Sequence, residues 1–117
     1  MKTNHTQLPD APMIDHVDQS IIVNQNTYTC PILITKTWLV TELDALTPDT
    51  WINHPMRLPV QQILSWPEIT PNPSLLDLYW QKNIQIELLK IAAACQMTKL
   101  SIAENRDYQL VIFPLAF

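Results

Sequence analysis

With 117 residues, 47% of them hydrophobic and 15% charged, the chain has the apolar content for one domain with its own core and too little charge for a disordered segment. The net charge is −4, and the seven Lys and Arg are scattered from Lys2 to Arg106. That excludes the basic stripe a phosphate-backbone partner requires, so no nucleic-acid binding is expected. No apolar run approaches the ~18–20 residues of a membrane span, and the first nineteen residues lack both a secretory h-region and an Arg-rich transit pattern. The expected location is therefore the cytoplasm.

In chain order, residues 1–13 are polar and carry Pro9 and Pro12, which predicts an extended N-terminal arm; residues 14–117 then form a single α/β domain. "SIIVNQNTYTCPILI" (20–34) predicts a hairpin: Ser20 to Val23 go out, "NQN" turns, and Thr27 to Ile34 return with Pro31 as a bulge or edge mark. "TWLVTEL" (37–43) adds a short strand. In "LTPDTWINH" (46–54) Thr47 caps, Pro48 fits a first helical turn and Asp49 complements the dipole, so a short helix is expected before Pro55.

"VQQILSW" (60–66) reads as a strand. Pro73 to Lys82 reads as a helix burying Leu75, Leu76, Tyr79 and Trp80, with Asn83 closing it. "IQIEL" (84–88) alternates strictly and predicts a half-buried strand. Ala92 to Ile102 reads as a helix with Ala93, Met97 and Leu100 inward; "ENRD" (104–107) turns the chain, and "YQLVIFPL" (108–115) closes as a strand. Strands first, then helix–strand–helix–strand, make a compact α/β domain with crossover helices.

The chain contains no glycine, where average usage near 7% would give about eight. Dinucleotide fingerprints and P-loops need glycine for close backbone approach and positive φ, so neither motif exists here. Left-handed turn positions are expected to fall on the asparagines Asn4, Asn24, Asn26, Asn53, Asn72, Asn83 and Asn105.

Among residues able to do chemistry, Cys95 follows three alanines with no histidine near it in sequence, which favours a packed thiol over a nucleophile; a bridge to Cys30 would be kept reduced in the cytoplasm. His5, His16 and His54 form no CxxC- or HxxxH-type pair, and "DHVD" (15–18) is expected to be a solvated turn, so no metal site is assigned. Ser20, Ser65, Ser74 and Ser101 lie in or beside regular elements, none in a G-x-S-x-G elbow. The carboxylates are dispersed. Of the tryptophans Trp38, Trp51, Trp66 and Trp80, core packing is the general expectation, with Trp51 or Trp66 reaching a surface groove. No catalytic residue and no cofactor follow from these patterns.

Taken together, "IIVNQNTYTCPILI" (21–34), "WLVTELDALTP" (38–48) and above all "NIQIELLKIAAACQMTKLSIAENRDYQLVIFPL" (83–115) resemble the small family classed as domain of unknown function 498, which includes mitochondrial complex I assembly factor 3. The resemblance covers nearly the whole chain after residue 13. It departs at two turns: Ser65-Trp66-Pro67 stands where the family has a Gly-Thr-Gly-like turn, and Lys90-Ile91-Ala92 replaces an Asp-Thr-Gly-like lead into the Ala-Ala-Cys helix. Those turns are the natural place for a shared ligand pocket. The resemblance implies a three-layer α/β fold, two strand layers with helices on one face, and a non-enzymatic role in assembling a larger complex through protein contacts.

The expected function is thus a non-catalytic protein-interaction or complex-assembly module with an unidentified protein partner. The alternative is a small-molecule-binding or thiol-dependent enzyme centred on Cys95. Self-association through an exposed edge strand such as Thr27–Ile34 is a further expectation.

Overall fold

A six-stranded mixed sheet runs through the centre of the computed structural model, which describes residues 5–8 and 11–117. Lys2, Asn4 and Pro9, used in the reading above, lie outside the described residues. The strands are β1 (His5–Gln7), β2 (Ile14–Val17), β3 (Ser20–Val23), β4 (Asn26–Tyr28), β5 (Ile32–Thr35), β6 (Leu39–Glu42), β7 (Gln61–Ser65), β8 (Ile86–Leu88) and β9 (Tyr108–Ile112). Helices α1 (Pro73–Trp80) and α2 (Ile91–Ala103) follow β7 and β8, and Thr50–Asn53 forms one 3₁₀ turn where a short helix was expected. The large sheet has the order β1-β6-β5-β9-β7-β8, and β2-β3-β4 form a separate antiparallel sheet. The arm segment thus contributes β1, antiparallel to β6.

The expected hairpin over 20–34 divides at Pro31. β4 pairs with β3 in the small sheet, whereas β5 pairs with β6 and β9 in the large one. Pro31 has no N–H to continue a ladder, so it sits where the chain changes sheets. β5 is therefore an interior strand, and of the Thr27–Ile34 segment only β4 presents an edge. "DHVD" is likewise not a turn throughout: Ile14 to Val17 pair with β3, and only Asp18, at φ 54°, begins the turn.

Alternation along the central strands produces two cores. Ile32, Ile34, Val40, Ile63, Leu110 and Ile112 face the small sheet and α2. Leu33, Leu64 and Val111 face the other way, onto Trp51 and Ile52 of the 3₁₀ turn and Leu75 and Tyr79 of α1. The α/β class and the two strand layers are as expected; the helices, expected on one face, are divided between faces. The reason is topological. From β7 the chain steps outward to parallel β8 through α1, then back across β7 to parallel β9 through α2. Crossovers of one hand that run in opposite directions must place their helices on opposite faces.

α1 starts as its sequence dictates, with the Asn72 side chain accepting from the Leu75 N–H at 3.1 Å and Pro73 at the first helical position. It buries Leu75 and Tyr79, and the Tyr79 hydroxyl donates to the Pro48 carbonyl at 2.6 Å. α2 buries Ala94, Thr98 and Ser101; of the expected inward residues, Met97 packs partly buried against the first core, and Ala93 and Leu100 are exposed. Small residues let the helix lie close to the sheet, and their hydroxyls are met within the helix: Thr98 donates to the Cys95 carbonyl at 2.7 Å and Ser101 to the Met97 carbonyl at 2.9 Å.

Three of the expected asparagines, Asn24, Asn83 and Asn105, take positive φ, joined by Asp18, Glu68 and Trp38. Trp38, at φ 61°, ends the turn whose N–H···O bond runs to Thr35 at 2.9 Å, a place that glycine normally fills in a β5–β6 type of connection. Packing of its ring against the first core offsets the left-handed backbone cost of ~1–2 kcal/mol.

Parallel neighbours Gln62 and Gln109 carry a buried amide network. Gln62 accepts from the Trp51 indole at 2.8 Å and donates to Gln109 Oε1 at 2.9 Å and to the carbonyls of Leu58 and Val60, each at 3.1 Å. Gln109 in turn accepts from the Leu58 N–H and donates to the Met56 carbonyl, both at 2.8 Å. The glycine-free loop between the 3₁₀ turn and β7 is held to the sheet by these bonds.

Candidate functional site

Three places hold the side chains that chemistry or binding would use. The first surrounds Cys95 in the second turn of α2. Its thiol is half-buried and lines a cavity of about 10 Å³ with Ile34, Trp38, Lys99, Tyr108 and Leu110. A space of that size holds about one water molecule. Burial pushes the Cys95 thiol up from its ordinary range, and the nearby Lys99 ammonium opposes that more weakly. The Tyr108 hydroxyl, on a residue 3% exposed, makes no well-formed hydrogen bond among the described residues; burial raises it to about 12, with the neighbouring Thr98 hydroxyl opposing that more weakly. No histidine lines the cavity. Cys30 is also a free, half-buried thiol; it donates to Glu42 Oε1 at 3.7 Å, and burial first, then the Glu42 charge, raise it.

The histidines are separated by the fold. His5 in β1 shares a hydrogen bond with the Thr41 hydroxyl at 2.9 Å. His54 Nδ1 accepts from the Met56 N–H at 3.1 Å, and its ring stacks on Trp51 with centroids 5.1 Å apart. His16 in β2 is held below the ordinary histidine range by burial, against the smaller opposing effect of Asp15. Among the described residues no three His, Cys, Asp or Glu side chains come together as a metal site. Among the described residues the four serines stay apart from these histidines in their hydrogen bonding; Ser101 contacts Met97 and Gln61, and the Ser65 hydroxyl has no partner there.

The second place is the carboxyl end of the parallel strands, where open α/β sheets commonly bind ligands at a reversal of strand order. Here an aromatic cluster occupies that end, with grooves of about 540 and 300 Å³ beside it. Trp66 meets Phe113 and Phe117 edge-to-face, with centroids 6.0 and 5.7 Å away, and the two phenylalanines lie 5.3 Å apart. Trp66, which directly follows β7, is thus the centre of that cluster. Trp51 and Trp66, expected at a groove, are 0% and 2% exposed: one is tied to Gln62, the other wrapped by phenylalanine.

The third place lies along β8. A groove of about 680 Å³ is lined by Ile69, Leu76, Trp80, Glu87, Leu89 and Ala93, so it takes in α1, the start of α2 and the edge strand between them. Trp80, expected in the core, is 57% exposed at this groove. Helical geometry explains the error: with Leu75 and Tyr79 inward, Trp80 lies about 100° further round α1. Neither the edge position of β8 nor the amide network was evident from local pattern, because both depend on which strands become neighbours.

No family model matches the sequence, and no curated protein matches it. Solved structures do. A Bordetella parapertussis protein, a structural-genomics target, is 15% identical with a TM-score of 0.60, covering 89% of this chain and 96% of that one. A Xanthomonas campestris protein solved by NMR is 16% identical with a TM-score of 0.61, covering 87% and 83%. A Bartonella henselae structure described as an outer membrane protein is 14% identical with a TM-score of 0.52, covering 91% and 96%. The likeness is one of fold. In this chain, no helix among the described residues is long and apolar enough to cross a membrane.

Proposed function

We propose that this chain is a non-catalytic protein-interaction module, an accessory factor in the assembly of a larger complex, that docks its partner at the groove beside β8. The observation carrying this reading is the exposed indole of Trp80 on an apolar groove, since tryptophan is the side chain most enriched at the energetic centre of protein interfaces. The resemblance to the domain of unknown function 498 family supports an assembly role, and two unbridged thiols suit the reducing cytoplasm in which we place it. Replacing Trp80 by the photo-reactive aromatic benzoylphenylalanine tests the reading. Irradiation in cells is expected to give a discrete higher-mass adduct that the same residue at exposed Met13 does not give. Identical patterns from the two positions would remove the groove as the docking face.

The second reading, a thiol-dependent enzyme centred on Cys95, is favoured by Lys99 beside the thiol and by Tyr108 in the lining of the same cavity. The two readings differ in thiol kinetics. Because burial raises the Cys95 pKa, its thiolate forms at higher pH than that of a free cysteine. Iodoacetamide labelling of the native protein at neutral pH is therefore expected to be slower than labelling of the same protein in urea. Labelling of Cys95 faster than in urea would put the enzyme reading first.

A further inference from the structure

β8 is the outer strand of the large sheet at the end opposite β1. Its bonding to β7 uses one set of residues. The Gln62 N–H donates to the Gln85 carbonyl at 2.8 Å and the Leu89 N–H to the Leu64 carbonyl at 3.0 Å. Gln62 is paired with Ile86 and Leu64 with Leu88. In a parallel ladder this register turns the backbone groups of Gln85, Glu87 and Leu89 toward β7. The N–H and C=O groups of Ile86 and Leu88 consequently face out of the sheet edge, into the space beside Trp80.

The side chains divide by alternation. Ile86 and Leu88 pack on the α1 side, which puts Glu87 on the α2 side. Glu87 is half-buried, and neither ion pair among the described residues, Lys36–Asp107 or Arg106–Glu104, includes it. A second copy of the chain is a poor occupant. Antiparallel pairing that uses both Ile86 and Leu88 on each strand sets Glu87 opposite Glu87, with Cβ atoms about 5 Å apart, and like charges so placed repel. A basic side chain in that position is attracted instead.

Resting on the docking reading above, we infer that β8 accepts an extended segment of a partner protein as an added strand. That segment carries Lys or Arg opposite Glu87, between apolar residues that reach Leu76 and Trp80. Main-chain bonds to Ile86 and Leu88 supply the attachment, and the alternate side chains supply the selection.

The test uses the full chain labelled with ¹⁵N and two blocked pentapeptides, Thr-Val-Lys-Val-Thr and Thr-Val-Glu-Val-Thr. The lysine peptide is expected to shift the Ile86 and Leu88 amides and the Trp80 indole and to bind about threefold tighter than the glutamate peptide, the scale of one cross-strand charge pair. Glu87→Lys, checked for an intact spectrum, is expected to reverse that order. Shifts at Trp80 with equal affinity for both peptides would overturn charge-selected strand addition while leaving groove docking in place. Shifts confined to other parts of the chain, or none with either peptide, would overturn both.

Discussion

Gln62→Ala is expected to lower the free energy of unfolding by about 4 kcal/mol, from two losses that fall on the same site. The Gln62 side chain is fully buried; its oxygen accepts one hydrogen bond, and its two amide hydrogens are shared among three acceptors. Truncation leaves the Trp51 indole N–H without an acceptor and the carbonyls of Leu58 and Val60 without the amide that served both. Each buried polar group left unmet costs about 1–3 kcal/mol, and the space left by the amide adds about 24 cal/mol per Å³. Against a total stability of about 5–15 kcal/mol, that loss is large. Urea unfolding followed by circular dichroism should show a lower midpoint at unchanged slope. Gln62→Leu fills the space but leaves the indole unmet, so it should fall between wild type and alanine. A loss below about 1 kcal/mol for the alanine variant would mean that the loop is held to the sheet by something other than these amides.

The same network marks the boundary of what local pattern reveals. Alternation identified β8, β-branched and aromatic content identified β3 and β9, and the apolar face of Pro73 to Lys82 identified α1, because these signals lie within a few residues of one another. Partnering is different. Gln62 and Gln109 are 47 residues apart, and only parallel pairing of β7 with β9 brings the Gln62 amide N–H to the Gln109 side-chain oxygen. The division of the helices between faces has the same origin, since it follows from the step of β9 back across β7. Pro31 announced an interruption correctly, but whether the chain bulges or changes sheets depends on Val111 and Ile112 lying beside β5.

At the level of the site, the surroundings of Cys95 were partly legible. Small neighbours in sequence pointed to packing, and the thiol lies half-buried against a water-sized cavity. Tyr108, which also lines that cavity, comes from a strand that enters thirteen residues later and could not be placed from the helix alone. Core packing of the tryptophans holds for Trp51, Trp66 and, in part, Trp38, but which tryptophan reaches a groove was misplaced for a related reason. Trp66 follows a strand and precedes Pro67, a pattern typical of an exposed turn. It is buried because the chain returns through Phe113 and Phe117 to cover it. Trp80 then remains at the surface because α1 has already spent its inward positions on Leu75 and Tyr79.

Two tryptophans buried to the same degree should therefore respond differently to the same substitution. Trp51→Phe and Trp66→Phe remove the same atoms and leave similar gaps, so their packing losses should nearly cancel in a comparison. Their polar consequences do not. The Trp51 indole donates to Gln62 Oε1 at 2.8 Å, whereas the Trp66 indole N–H has no partner among the described residues. Phenylalanine at 51 strips a buried acceptor of its donor; at 66 it takes away an N–H whose burial was uncompensated. A phenyl ring at 66 also keeps an aromatic edge for Phe113 and Phe117, while the ring at 51 loses part of its stack with His54. Trp51→Phe is expected to be the more destabilising by about 1–2 kcal/mol, the scale of one buried hydrogen bond left half-made. Equal losses in urea unfolding would show that packing alone governs both positions, and would also undercut the stability assigned to Gln62, because the two residues share that bond.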